Sequence, residues 1–375
     1  MTWYNWLIVI VPFVGVLYMA FHSRKYIRGV PDFLAGGRIC GRYLLSVGSM
    51  EAGLSVLALA SYVEVHYRTG FSTGFWGAVV APIGLVLSLT GFCTYRLRET
   101  KAMSMGQFLE MRYSRSFRLF CAFLRTSVEM MTNIIVPAIS ARFFIYLLGI
   151  PHQIEIFGFK VQTFALVIFV VLSLAVTILL AGGALALLIT DTIQGLLTYP
   201  IIFVFTMFIL MNFSWWDEIV PVMADRVPGE SFINPYDIKS LRDFNLFAVF
   251  VTTFSSIINR CVWFGGGASS AARTAHEQKM AGILGAWRNG FNPLFYLLLA
   301  GMILTVMNHV NYASKARQIR TELCARVADE IIPDRKIKEE VKAKTAAIPE
   351  QRHIIGKDKP LSEKANLDTP YMKTA

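Results

Sequence analysis

The sequence is short of charge. Asp, Glu, Lys and Arg make up 16% of its 375 residues, against 55% apolar residues, where a soluble domain carries about 25% charged residues. The shortage is uneven. Residues 310–375 are polar and rich in Lys and Glu, so 1–309 is more apolar than an aqueous fold tolerates. Cysteine is also scarce. The five cysteines, Cys40, Cys93, Cys121, Cys261 and Cys324, have no paired or metal-like spacing, which argues against a disulfide framework or a zinc site. The six histidines are scattered, and no Ser/His/Asp or Cys/His arrangement accompanies them, so nothing points to an enzyme. Gly265-Gly266-Gly267 lacks the Lys-Ser ending and the preceding strand of a phosphate loop. The first apolar run lacks a basic leader and is followed by Ser23-Arg24-Lys25, a stop-transfer pattern rather than a cleavable signal.

What remains is a series of long apolar runs. Each is long enough to cross a ~30 Å hydrocarbon layer, where backbone polar groups are satisfied only in helices or closed barrels. The runs are continuous rather than alternating, so helices are expected. The fold class is therefore an all-α integral membrane bundle of about eight spans, near 3–22, 41–66, 72–95, 119–149, 161–182, 185–212, 244–264 and 286–308. The fourth is longer than a straight crossing needs and must tilt or protrude. Gly182-Gly183-Ala184 reads as a tight turn between antiparallel helices. The chain divides into a transmembrane domain at 1–309 and a hydrophilic loop or tail at 310–375. Within the latter, 313–343 suits a charged helix, and the stretch from Pro349 onward suits loop or disorder.

The net charge of +11 raises the question of nucleic acid. The basic residues instead flank apolar runs, as expected of cytoplasmic loops, and no nucleic-acid partner is expected. Arg24, Lys25, Arg28, Arg38 and Arg42 fill the first loop. Arg96, Arg98, Lys101, Arg112, Arg115 and Arg118 fill the third. Arg260, Arg273, Lys279 and Arg288 lie near 260–288. The alternate loops are poorer in basic residues, and 213–243 is acidic and holds Trp215 and Trp216. A multi-pass cell-membrane protein with its N-terminus outside follows, with membrane lipid around it.

Polar residues inside lipid are expensive and mark functional paths. The second span carries Ser46, Gly48, Ser49, Glu51, Gly53 and Ser55. Such small and polar residues suit a broken helix whose free carbonyls coordinate a cation, or else a close-packing seam. Asp191 and Gln194 lie three apart on one helix face. Asp191 reads either as an ion-path residue or as a cap at a span's end. Arg125 and Glu129, four apart, suit pairing within their helix. The seventh span carries Thr252, Thr253, Ser255, Ser256, Asn259 and Arg260 before the glycines, which would end or unwind it.

Three segments resemble the sodium/solute symporter family, whose members share a leucine-transporter-like inverted-repeat fold. Asp32-Phe33-Leu34-Ala35-Gly36-Gly37-Arg38 is similar to the lead into that family's first core helix. Ser55 precedes Tyr67-Arg68-Thr69-Gly70 by the family's spacing. Asp191-Thr192-Ile193-Gln194-Gly195 resembles its Asp-x-x-Gln-Gly motif. The resemblance covers about 1–308. It implies sodium-coupled symport of a small organic solute or anion by alternating access, with sodium as the coupling ion. The second span becomes the first core helix, behind one extra helix. Sodium would then be held by Glu51 and Leu54 through their carbonyls and by Ser55, and Asp191 with Gln194 would line the ion's path. Solute would meet the second and seventh spans, at Ser256 and Asn259. Glu51 departs from the small residue common there. The family's eighth core helix, which supplies partner hydroxyls, is not among the eight spans, so the resemblance implies the front part of a symporter that does not transport alone. The other readings are a membrane sensor or regulatory module and an inactive remnant of a shortened gene. The solute and the oligomeric state are not marked by any motif.

Overall fold

The computed structural model describes residues 3–51, 54–91, 94–151, 153–156, 159–226, 231–237, 246–262, 270–288 and 291–348. In chain order its helices are α1 (Trp3–Ser23), α2 (Val30–Ala35), α3 (Arg42–Glu51), α4 (Val56–Thr69), α5 (Phe71–Thr90), α6 (Thr94–Glu99), α7 (Met105–Arg112) and α8 (Arg115–Leu148). There follow α9 (Thr163–Asn212), α10 (Val220–Ala224), α11 (Leu246–Val262), α12 (Ala275–Arg288), α13 (Phe291–Asn308), α14 (Ala313–Ile331) and α15 (Arg335–Ala346). One antiparallel hairpin, β1 (Gln153–Ile156) and β2 (Phe159–Gln162), joins α8 to α9, with Gln153 opposite Gln162 and Glu155 opposite Lys160.

A helix lies on each of the eight expected apolar runs. Those at Phe71–Glu99, Arg115–Leu148, Thr163–Asn212 and Ala275–Asn308 are long and apolar enough to cross a membrane by length and composition. The chain is an all-α membrane bundle, and its outer faces are apolar. Phe123, Met130, Met131 and Ile134 of α8 are all exposed, as befits a surface whose solvent is lipid. At 34 residues, α8 spans about 51 Å and so extends beyond the hydrocarbon layer.

α9 is 50 residues long, about 75 Å if straight, more than two crossings' worth of hydrocarbon. Gly183 interrupts it with φ 51° and ψ −146°, a backbone that only glycine adopts without strain. A methyl group on Gly182 would collide with Ala186, and one on Gly183 with the Phe33 carbonyl. In a continuous helix, Cβ atoms four residues apart stand about 5–6 Å away from each other, so the collision at Ala186 marks a sharp kink. The kink falls at the glycine pair where a turn was expected, with no loop residues.

Two compact units are formed: residues 1–60, 82–201 and 254–290, and residues 61–81, 202–253 and 291–375. The first has a core of Cys40, Leu45, Leu185, Leu188, Ala271, Ala272 and Ala281, where α3, α9 and α12 meet. The second packs Ile219, Val222, Met223, Phe232 and Leu304 against Tyr67, Phe71, Phe213 and Trp215. Gly70, at φ 59°, ends α4, and any side chain on it would overlap Phe232. The Phe71 N–H donates to the Phe232 carbonyl at 2.8 Å.

Two expectations change in detail. The acidic stretch expected as a loop carries a π-helical turn at Trp215–Ile219 and then α10. Ser214 caps that turn by accepting from the Asp217 N–H. The charged helix expected over 313–343 is two helices. Pro333 stands just past Ile332, the C-cap of α14, and the Asp334 carboxylate caps α15 by accepting from the Lys336 N–H at 2.8 Å. Asp329 then holds Lys342 at 2.7 Å across the hairpin. The expected unwinding at Gly265–Gly267 and the tail beyond Pro349 lie outside the described residues.

Candidate functional site

The second apolar run is one hydrophobic stretch but two helices. α3 stops at Glu51 and α4 starts at Val56, and Leu54 and Ser55 are non-helical. Ser55 is the reason α4 starts where it does. Its Oγ accepts from the Ala58 N–H at 3.0 Å, while its carbonyl accepts from the Leu59 N–H at 2.9 Å. That is an N-cap, which satisfies one of the amide donors a helix start leaves open. One helix end and one helix start therefore fall within a single apolar run. The last carbonyls of α3 carry partial negative charge and the first amides of α4 partial positive charge. A small cation suits the former and an anionic group the latter.

α9 backs this break. Gly48 of α3 lies against it so closely that an added methyl would stand 3.1 Å from Leu188 Cδ2, 3.5 Å from the Leu188 carbonyl and 3.8 Å from Asp191 Cβ. Ser46 beside it is fully buried. Thr192 Oγ1 donates to the Leu188 carbonyl at 2.6 Å and reaches the Leu44 carbonyl at 3.5 Å. The small residues of α3 therefore do both things weighed from the sequence: they form a seam against α9, and they precede a break. Asp191 comes to the α3 seam, half-buried, while Gln194 is exposed. The two do not share an environment despite their three-residue spacing. Arg125 and Glu129 pair at 3.8 Å on the exposed side of α8, as their spacing indicated. The Glu51 side chain and those of Ser256 and Asn259 lie outside the described residues, although their backbone belongs to α3 and α11.

The sequence did not signal several features. His66, on α4, is buried, and its Nδ1 donates to the Tyr62 carbonyl at 2.7 Å. Tyr62 stacks on Tyr296 with ring centroids 5.1 Å apart. Tyr312 donates to Glu218 at 3.1 Å, and burial together with that carboxylate pushes the Tyr312 hydroxyl up from its ordinary pKa. The Tyr62–Tyr296 and Tyr312–Glu218 contacts join residues far apart in the chain, so no local pattern could reveal them. Among the described residues no three His, Cys, Asp or Glu side chains gather as a metal site.

The chain is thus an apolar helical bundle whose first long run after α1 is interrupted at Leu54 and Ser55, with the acid Asp191 of α9 behind the helix that precedes the interruption. Among solved structures, the chain matches a sodium-coupled sialic acid symporter in a substrate-bound, outward-open state, with a TM-score of 0.63 over 84% of this chain and 17% sequence identity. The match covers 62% of that symporter's chain. The chain thus shares the fold of a sodium-coupled symporter. No protein-family model matches it, and no curated protein matches it by sequence.

Proposed function

We propose that this protein is a secondary transporter that moves a small organic solute or anion across the cell membrane, driven by sodium entering down its gradient. The observation that carries this reading is the interruption at Leu54 and Ser55 between α3 and α4, set against the Gly48–Asp191 contact. Nothing in a merely structural membrane bundle calls for a capped interruption halfway along an apolar run. Sodium binds to the backbone carbonyls of Glu51, the last residue of α3, and of Leu54, with Ser55 beside them. Asp191 lies on the ion's way out, and Gln194 extends that path toward water. Ser256 and Asn259 of α11 meet the solute.

The thermodynamics are adequate. A tenfold sodium gradient is worth about 1.4 kcal/mol, and a 100 mV potential adds about 2.3 kcal/mol per charge. With one sodium per neutral solute, accumulation reaches roughly 500-fold; a monovalent anion carried with one sodium moves no net charge, so the sodium gradient alone drives it about tenfold. The binding sites must favour one orientation over the other only when both sodium and solute are present, since a ligand shifts an equilibrium by its differential affinity alone.

The test is uptake into cells expressing the whole protein. N-acetylneuraminic acid is the first probe, because the structural neighbour is a sialic acid symporter; sugars, amino acids, nucleosides and small anions follow. Accumulation of one of these in sodium chloride, and its absence in choline chloride, is expected. Uptake that persists in choline, or binding of solute with no sodium dependence, would exclude sodium coupling.

A further inference from the structure

The start of α3 is tied to the start of α12 by an unusual number of bonds. The Cys40 N–H donates to the Ala271 carbonyl at 3.1 Å, and the Arg273 N–H donates to the Cys40 carbonyl at 2.9 Å. Cys40 and Ala272 thus form a parallel β-bridge between the two segments that lead into these helices. Two residues on, Glu277 takes Arg42 with both oxygens. The Arg42 backbone N–H and Nε donate to Oε2 at 2.7 and 3.0 Å, and its terminal nitrogen donates to Oε1 at 2.6 Å. Arg98 closes the junction by donating to the Ala272 carbonyl at 2.8 Å. The knot is dry: Cys40 is 3% exposed, and Ala271 and Ala272 are fully buried.

A gate that opens every turnover is best made of a few side-chain contacts that water can replace. This junction is made differently. Parting it would strand backbone amides and carbonyls in a closed core and separate a two-pronged charge-assisted pair. The interruption of the run lies farther along, at the non-helical Leu54 and Ser55 between α3 and α4.

We propose that the Cys40–Ala272 and Arg42–Glu277 contacts form a permanent joint, with Arg42 and Glu277 as positioning residues that make α3 and α12 move as one body through the transport cycle. The inference rests on the transporter reading above for its role, but not for its existence. α3 carries the site's break at its far end, and α12 follows the Gly265–Gly267 run in sequence. Any shift of the half-helix at the ion site is therefore delivered to α12.

Cys40 is a built-in reporter. Burial pushes its thiol up to about 11, so a closed joint reacts slowly. The experiment uses the full chain in lipid nanodiscs with the other four cysteines replaced by serine, and follows N-ethylmaleimide labelling of Cys40 in sodium chloride and in choline chloride. Labelling is expected to be slow and equal in the two salts. Glu277→Gln should speed it by roughly tenfold through loss of the charged pair, and the exchange Arg42→Glu with Glu277→Arg should restore most of the protection. Labelling that rises when sodium is added, or that is unchanged in Glu277→Gln, overturns the joint.

A second arm adds Ala272→Cys and moves the whole protein into proteoliposomes, whose closed interior lets uptake be read. Bridged strands lie about 4.8 Å apart, within disulfide range, so mild oxidation should link it to Cys40. Uptake is expected to survive the link with unaltered sodium dependence, and the link should rescue Glu277→Gln. A link that blocks uptake until dithiothreitol is added would make the junction a gate and end the proposal. If the unlinked protein shows no sodium-driven uptake, the transport reading fails, while Cys40 labelling still decides the joint.

Discussion

Ser55 caps α4 and is proposed to meet sodium, and the two roles can be separated. As the cap of α4 it accepts from the Ala58 N–H, and Ser→Ala at an N-cap costs about 0.5–2 kcal/mol. Ser55→Ala should therefore lower thermal stability in any salt. If the hydroxyl also meets sodium, the extra stability gained on adding sodium chloride in place of choline chloride should shrink as well. A melting-temperature series in both salts reads the two effects apart, and an undiminished sodium increment would leave Ser55 as a cap alone. Asp191 presents the complementary case. It sits half-buried at the α3 seam beside Gly48, too far along α9 to cap a helix start, since α9 runs on through it to Asn212. That placement removes the capping alternative. Asp191→Ala should reduce sodium-dependent uptake several-fold while leaving insertion into the membrane intact, measured as initial rate against surface expression. Uptake with unchanged sodium dependence would confine Asp191 to packing.

At the scale of elements, the legible parts were those written locally. Eight apolar runs gave eight helical stretches, and the glycine pair at 182–183 marked the kink within α9, because periodicity, length and φ tolerance act over a few residues. The break after Glu51 was also readable, from its small and polar residues, but its edges were not; Ser55 as cap depends on which of several hydroxyls the backbone reaches. The joint of α3 with α12 was invisible, since Arg42 and Glu277 are 235 residues apart and each looks like an ordinary loop charge. The hairpin of α14 and α15 was half legible: a charged helix was expected, but Ile332-Pro333-Asp334 was not recognised as a stop and a new cap. That hairpin carries a pH prediction. The Lys342 ammonium, by hydrogen bond and charge, holds the Asp329 carboxyl below its ordinary pKa, with Lys338 adding to it. A lowered folded-state pKa contributes stability that is present above the unfolded value and lost as pH falls through the folded one. Amide exchange in 313–346 should thus accelerate relative to α13 as pH drops below about 4, after correction for intrinsic rates, and Asp329→Asn should abolish that pH step. An identical step in the variant would assign it to another group.

At the scale of the whole chain, sidedness is the question the charge pattern poses. Three loops rich in Lys and Arg were expected on one side of the membrane: 23–42, 96–118 and 260–288. In the first unit they are tied together. Arg38 donates to the Lys101 carbonyl, Arg98 to the carbonyl of Ala272, and Arg42 to Glu277. Such contacts are possible only if the three loops share a face, so the relative sidedness follows from geometry and only its absolute sign rests on the positive-inside tendency. We propose that this face is cytoplasmic, which puts the N-terminus and the α14–α15 hairpin outside. Single cysteines at Met111, an exposed position on α7, and at Glu339, exposed on α15, are suited to the measurement in a background with the native cysteines replaced. A membrane-impermeant maleimide added to intact cells should label position 339 and spare 111, and permeabilisation should make 111 reactive too. Labelling of 111 but not 339 in intact cells would invert the molecule, move the joint at Arg42 and Glu277 to the outer face, and make the release path assigned to Asp191 an entrance instead.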